Sequence, residues 1–228
     1  MSHSELPPSS ADKWFHCHGW RRLNAVIPNR SSAAADEGSL AHEWLANHLE
    51  GKADLVDCED PEMADHLFMV AEWVASVKGD RYVEHRVDYG APFGFVDLTG
   101  TSDLVFVSPD KITIADLKYG KHAVEVQDNL QMLCYLVGAV HAFGRRPTYS
   151  MCIAQPRSWH RDGPIRAVEI TDEELREFEA KLEEAIRGSY KHDAPATPGD
   201  WCMNYCNALG RCKAVAQQSI NRFREEAP

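Results

Sequence analysis

The sequence predicts a mixed α/β fold, a sheet flanked by helices, and three observations predict it. Apolar residues recur at helical spacing up to about residue 79. Between residues 82 and 120 the period falls to two, in short β-branched runs separated by Gly, Pro or Asp. Beyond residue 126 helical spacing returns, interrupted by one more strand-like run. The order helix, helix, strands, helix, strand, helix places helices against a mixed sheet.

Residues 1–13 read as a flexible polar leader, with Pro7, Pro8, Ser9 and Ser10 opposing regular structure. "WFHCHGWRRL" allows a helical turn or two. A helix is expected from about Ser39 to Leu49, where Leu40, Trp44, Leu45 and Leu49 share a face and Gly51 lies past the end. "PEMADHLFMVAEWVASVKG" is a second, opened by Pro61 and closed before Gly79. "YVEHRVDYG", "FGFVDLTG", "SDLVFVS" and "KITIADLKYG" then form a meander of strands. "VQDNLQMLCYLVGAVHAFG" is helical through Leu130, Leu133, Leu136, Val137 and Val140, and "TYSMCIAQP" is a further strand. "TDEELREFEAKLEEAIRGSY" is a helix capped by Thr171 with acids in its first turn. A Pro-rich linker, "HDAPATPGDW", leads to a cysteine-rich end.

With 228 residues, 26% charged and 44% hydrophobic, the chain suits one globular domain with an appended segment. The expected division is a leader over 1–13, a core over 14–192, and a linker and cysteine segment over 193–228 that packs back on the region of Cys17. A formal charge of −11 argues against a broad basic surface holding duplex DNA by phosphate neutralisation alone. It leaves room for a local positive groove and for acids that hold a metal. No segment approaches the roughly 20 apolar residues that cross a bilayer, and the start lacks the basic and apolar regions of a signal peptide. The protein is therefore expected to be intracellular, without a membrane partner.

The run "ITIADLKYGK" closes on an acid and a base. In an extended strand Asp116 and Lys118 project to one side while Leu117 enters the core. Asp103, in "GTSDLVF", begins a strand expected to pair with residues 111–117. Two carboxylates at neighbouring strand ends make a hard oxygen site for Mg²⁺ or Mn²⁺. An ammonium beside them can orient a water or stabilise charge developing on phosphate. An Asp-x-Lys pair at a strand end also occurs as a plain surface ion pair, so its companions decide its meaning.

Taken with His42 in "GSLAHEWL" upstream and "QMLCY" downstream, "GTSDLVF" and "IADLKYGK" resemble the PD-(D/E)XK nuclease superfamily. The branch resembled contains RecB-type nuclease domains, Cas4-like CRISPR-associated exonucleases and related phage exonucleases, and the resemblance runs from about Cys17 to Cys212. It implies a restriction-endonuclease-like core with His42, Asp103, Asp116 and the main-chain carbonyl of Leu117 as metal ligands. Imidazole among oxygen donors tilts the preference toward Mn²⁺. Lys118 would hold the attacking water, and Gln131 and Tyr135, one turn apart, would contact the DNA backbone. The blander alternatives are a half-buried helix histidine for His42, a solvent-facing amide for Gln131 and a core-edge ring for Tyr135. Glu84 is either a further acid beside the metal or, like Asp88 and Asp97, an exposed strand residue. The proline that the superfamily's name places before the first acid is absent, "TSD" standing there.

"CMNYCNALGRC" gathers Cys202, Cys206 and Cys212 within eleven residues, beside Trp201 and Tyr205. Thiolates this close repel one another unless a metal or cluster neutralises them. Cys17 is the candidate fourth ligand, and the resemblance supports it: Cas4-like and AddB-type nucleases bind a [4Fe-4S] cluster through one cysteine before the core and three after it. Zn²⁺ on the same four thiols is the alternative, with His16 and His18 as further donors. Cys134 and Cys152 read as core residues.

The resemblance implies a metal-dependent DNA exonuclease acting on single strands or DNA ends, in phage or prophage recombination or CRISPR-type processing. Its setting would be the cytoplasm of a bacterium or a phage-infected host, as a homo-oligomer or with recombination or CRISPR-type partner proteins. Two other classes stay open: a non-catalytic DNA-binding or assembly module that keeps the fold, and an iron-sulfur redox protein.

Overall fold

A computed structural model describes residues 4–25, 27, 32–203 and 206–226. Two short helices, α1 (Ala11–Trp14) and α2 (Trp20–Asn24), precede two long ones, α3 (Ala33–Leu49) and α4 (Pro61–Ser76). Strands β1 (Asp80–Asp88), β2 (Thr99–Val107) and β3 (Lys111–Leu117) follow. Then come α5 (Leu130–Phe143), β4 (Thr148–Ala154), β5 (Ile165–Thr171) and α6 (Asp172–Ser189), with α7 (Asp200–Met203) and α8 (Lys213–Glu226) at the end.

The strands make one mixed sheet in the order β1-β2-β3-β4-β5, antiparallel except for the parallel pair β3–β4. That pair needs a crossover, and α5 supplies it. Both faces are covered, so alternate residues of one strand fall into different cores. Val105, Ile112, Ile114, Met151 and Ile153 pack toward α5 and α6. Leu104, Phe106, Ala115, Leu117, Cys152 and Ala154 pack toward α3 and α4. Helix α5 is buried without interruption from Met132 to Val140, as a helix enclosed on all sides must be.

Caps fix the helix ends that matter for the site. Ser32 accepts from the Ala35 amide, placing the start of α3 six residues ahead of the expected Ser39. Asp60 caps α4 over Pro61, and Asn129 caps α5 through the Met132 amide. Thr171 and Glu174 form a reciprocal capping box on α6.

Several elements depart from expectation. Part of the expected leader enters the core: Leu6 is 0% exposed, and Pro8 and Ala11 are buried with it. Of the residues that argued against regular structure, Pro8, Ser9 and Ser10 form a single 3-10 turn, Pro8–Ser10, which follows Pro7 and lies against α5. The run "FGFVDLTG" is a turn and loop, with β2 starting only at Thr99. β5 was not foreseen, because its sequence "IRAVEIT" alternates weakly and includes the buried Arg166. α8 was not foreseen either. Residues 1–3 of the expected leader, and Tyr205, lie outside the described residues.

Candidate active site

The register of the first three strands sets out a row of carboxylates. β1 and β2 pair in one register from Asp80↔Val107 to Asp88↔Thr99, but the position where Glu84 faces Asp103 is missing from the ladder. Glu84 has φ 46, a left-handed conformation costing an acidic residue on the order of 1–3 kcal/mol. Since the register is the same on both sides, no residue is inserted; the backbone turns over in place. Tyr82 and His85 consequently both meet Phe143 of α5, with ring centroids 4.8 and 5.2 Å away. Strict alternation would have sent them to opposite faces.

The β2–β3 ladder ends at Leu104↔Ala115. One step further the register sets Asp103 opposite Asp116, and there the strands are joined by a side chain: Asp103 Oδ2 accepts from the Leu117 amide at 2.7 Å. Its other oxygen, Oδ1, is 3.0 Å from His42 Nδ1 on α3. His42, Glu84 and Asp103 each offer a donor atom within 4.8 Å of the others, the one such gathering among the described residues. Glu84, Asp103 and Asp116 thus occupy successive positions of one row across three strands.

Asp116 is 3% exposed. Its Oδ1 accepts from Gln131 Nε2 at 3.1 Å. Its Oδ2 lies 2.9 Å from the Lys118 ammonium, off the line of a hydrogen bond, so that this buried oxygen accepts none. Lys118 Nζ donates to Gln131 Oε1 at 2.8 Å, and Gln131 Nε2 also donates to the Tyr135 hydroxyl at 3.0 Å. Tyr135 itself is buried, and its ring lies so near Gly100 and Pro8 that any side chain at Gly100 would collide with both.

Charge follows burial. Burial lowers the His42 pKa, but the hydrogen bond and charge of Asp103, with the charge of Asp116, outweigh it and leave the imidazole above its ordinary value. Burial raises Asp116, against the opposing charge of Lys118. Glu84 reaches solvent, yet partial desolvation and the neighbouring Asp103 carboxylate push it up. Carboxyls that resist ionisation this way are what a cluster of acids awaiting a cation displays. The donor set suits a divalent cation: one imidazole, several carboxylate oxygens, and a buried oxygen on Asp116 with no hydrogen bond.

The structure therefore gathers His42, Glu84, Asp103, Asp116, Lys118, Gln131 and Tyr135 around the fork between β2 and β3. Leu117 is 2% exposed, with its side chain in the α3/α4 core. One residue at the border was not singled out from sequence. Tyr119 places its hydroxyl 3.3 Å from His66 Nδ1 and its ring under the Arg157 guanidinium, 4.6 Å away. Its adjacency to Lys118 is the one signal the sequence offers.

Away from these residues Cys17, Cys202, Cys206 and Cys212 line a single cavity with Trp20, Leu23, Leu209 and Val215. The linker reaches it along a tight path: Gly19 donates to the Pro195 carbonyl at 2.8 Å, and a Cβ on Gly19 would lie 2.9 Å from the Ala196 nitrogen. Cys17 Sγ accepts from the Thr197 amide at 3.3 Å, and burial raises the Cys17 thiol. These sulfurs surround the cavity without gathering within 4.8 Å of one another.

A family model described as "Protein of unknown function (DUF2800)" matches residues 3–227. The chain belongs to the DUF2800 family. Among solved structures, this DUF2800 chain is similar to a protein from Eubacterium rectale provisionally named an exonuclease: 14% identity over 93% of this chain and 87% of the other, TM-score 0.48. It is also similar to an alkaline exonuclease from Laribacter hongkongensis: 12% identity over 77% and 91% of the two chains, TM-score 0.36. A phage-related exonuclease from Haemophilus somnus 129PT shares 13% identity over 77% and 92%, with TM-score 0.31.

Proposed function

We propose that this protein is a divalent-cation-dependent deoxyribonuclease of the PD-(D/E)XK type, acting on single-stranded DNA or DNA ends. The observation that supports it most is the gathering of His42, Glu84 and Asp103 beside an Asp116–Lys118–Gln131 network at one sheet fork. His42, Glu84, Asp103 and the unbonded oxygen of Asp116 would hold Mn²⁺ or Mg²⁺, with the Leu117 carbonyl as a further donor. When bound, the cation supplies Lewis-acid polarisation of a phosphoryl oxygen and acidifies water. Lys118 places a positive charge where negative charge develops and holds the nucleophilic water by donation. Gln131 fixes the separation of acid and ammonium by bonding both, and Tyr135 fixes the orientation of the Gln131 amide. Unneutralised carboxylates would repel a phosphodiester, so cleavage depends strictly on the cation.

The reading extends to the thiol cavity, where Cys17, Cys202, Cys206 and Cys212 would bind a [4Fe-4S] cluster that ties the C-terminal segment to the region of Cys17. Its support is the shared cavity and the amide donated to Cys17. A lone Zn²⁺ at about 2.3 Å from each sulfur would draw the sulfurs to about 3.8 Å of one another. Zn²⁺ on the same four thiols is the alternative.

Incubation of purified protein with end-labelled single- and double-stranded DNA in Mn²⁺, Mg²⁺ or chelator tests the reading. Cation-dependent shortening of the strand is expected; intact DNA under every condition overturns it. The absorption spectrum of anaerobically purified protein, brown with a broad visible band or colourless, separates cluster from zinc.

A further inference from the structure

Strand β4 ends at Ala154, beside Leu117 in the parallel ladder, and its carbonyl accepts from the Lys118 amide at 2.8 Å. The loop that leaves it, residues 155–164, therefore rises from the same end of the sheet as the loop that leaves Lys118. The two are stitched along their length. Gln155, 0% exposed, donates through Nε2 to the carbonyls of Gly120 (3.0 Å) and His122 (2.7 Å), while its Oε1 accepts from the Val124 amide and from Arg166. Arg157 lies over Tyr119 and is 2.7 Å from Glu37 of α3. His160 approaches Glu125 at 3.3 Å. A loop held in this way has little conformational freedom left to lose.

At its crest this loop exposes an indole. Trp159 is 86% exposed, between the buried Ser158 and the half-buried His160. It lies five positions beyond Ala154, which at about 3.6 Å each keeps it within roughly 18 Å of that residue. Of the cations on residues 118–125 and 155–164, Lys118 pairs with Asp116 and Arg157 with Glu37. Lys121, His122 and Arg161 are exposed, although Arg161 also lies 3.5 Å from Asp162. An exposed ring on a rigid support, with solvent-facing lysine and arginine side chains on the same pair of loops, is how proteins hold unpaired bases without reading their sequence.

We propose that Trp159 is a base-stacking platform that holds the unpaired strand of a DNA substrate as it leads to the Asp116–Lys118 site, with Lys121 and Arg161 following its phosphates. This rests on the nuclease reading and deepens it by naming the residue that holds the bases of the single strand. Trp159→Ala and Trp159→Phe are compared with wild type on a single-stranded oligonucleotide and on an abasic strand of equal length. The readouts are KM and kcat for cleavage and fluorescence anisotropy for binding. Trp159→Ala should raise KM and weaken binding about tenfold on the base-bearing strand with kcat unchanged. Trp159→Phe should stay within about threefold of wild type, and the abasic strand should not distinguish the three proteins. Equal KM and equal binding for wild type and Trp159→Ala overturn the platform and leave the nuclease standing. An equal loss on both strands also overturns it and assigns Trp159 to the fold or to a protein contact. If wild type cleaves no DNA, the nuclease reading fails, and anisotropy still decides whether bases stack on Trp159.

Discussion

At the fork of the sheet, His42, Asp103, Asp116, Lys118 and Gln131 hold one another through hydrogen bonds and charge. The four thiols, by contrast, surround a cavity whose other walls include Trp20, Leu23, Leu209 and Val215. The first site is preorganised by its own side chains, so its geometry outlasts the loss of a cation and only its chemistry stops. The second has little polar structure to hold it open, so its shape depends on what fills it. On the proposed reading a cation at the fork would serve reaction, and a cluster in the cavity would serve folding.

The sharpest test is to break the first without touching the second. Asp116→Ala and Lys118→Ala should each lower cleavage of end-labelled DNA by at least about a hundredfold, with circular dichroism and melting temperature close to wild type. Retained activity in either would remove the fork from the mechanism. Breaking the second should do the reverse in kind. Cys17→Ser is expected to abolish any visible absorption and to expose residues 193–226 to limited proteolysis, while the core from α3 to α6 stays resistant. A protease pattern identical to wild type would show that the cavity staples nothing.

Smaller effects sharpen the contrast. The His42 pKa lies above its ordinary value, so without cation its contribution to stability is complete below the unfolded value near 6.5 and is lost as pH rises through the folded one. A cation must displace that proton, so Mn²⁺ affinity should rise severalfold between pH 6 and pH 8, and calorimetric titration of His42→Ala should show a flatter dependence. The smallest effect concerns Glu84, whose φ of 46 a glycine adopts freely. Glu84→Gly should keep thermal stability or raise it by up to about 1 kcal/mol while weakening Mn²⁺ severalfold. Unchanged Mn²⁺ affinity would reduce the left-handed residue to a local accident of the strand.

Much of the fold and most of the site could be read from the residues in order. Pro61, Thr171 and Gly144 mark helix ends because capping is local chemistry, carried by side chains within a turn of the break. Asp116 and Lys118 announce a shared side because alternation along a strand is geometric. The N-terminal stretch misled because proline and serine report local propensity, whereas Leu6 and Pro8 are fixed by a surface supplied by α5 and the β1–β2 hairpin, far away in the chain. β5 was missed for a similar reason: Arg166, 4% exposed, is admitted to a strand because Val124, Gly163 and Gln155 accept its hydrogen bonds.

By itself the sequence determined which donors exist, on which elements they ride and in what order, since period and capping act over a few residues. Only the tertiary structure decided that Glu84 stands beside Asp103, that Asp103 bridges the end of the β2–β3 ladder, and that the loop carrying Trp159 is bound to the loop after Lys118. Those are matters of register and strand separation between segments remote in sequence. They are settled by packing both faces of one sheet at once, which no local pattern encodes.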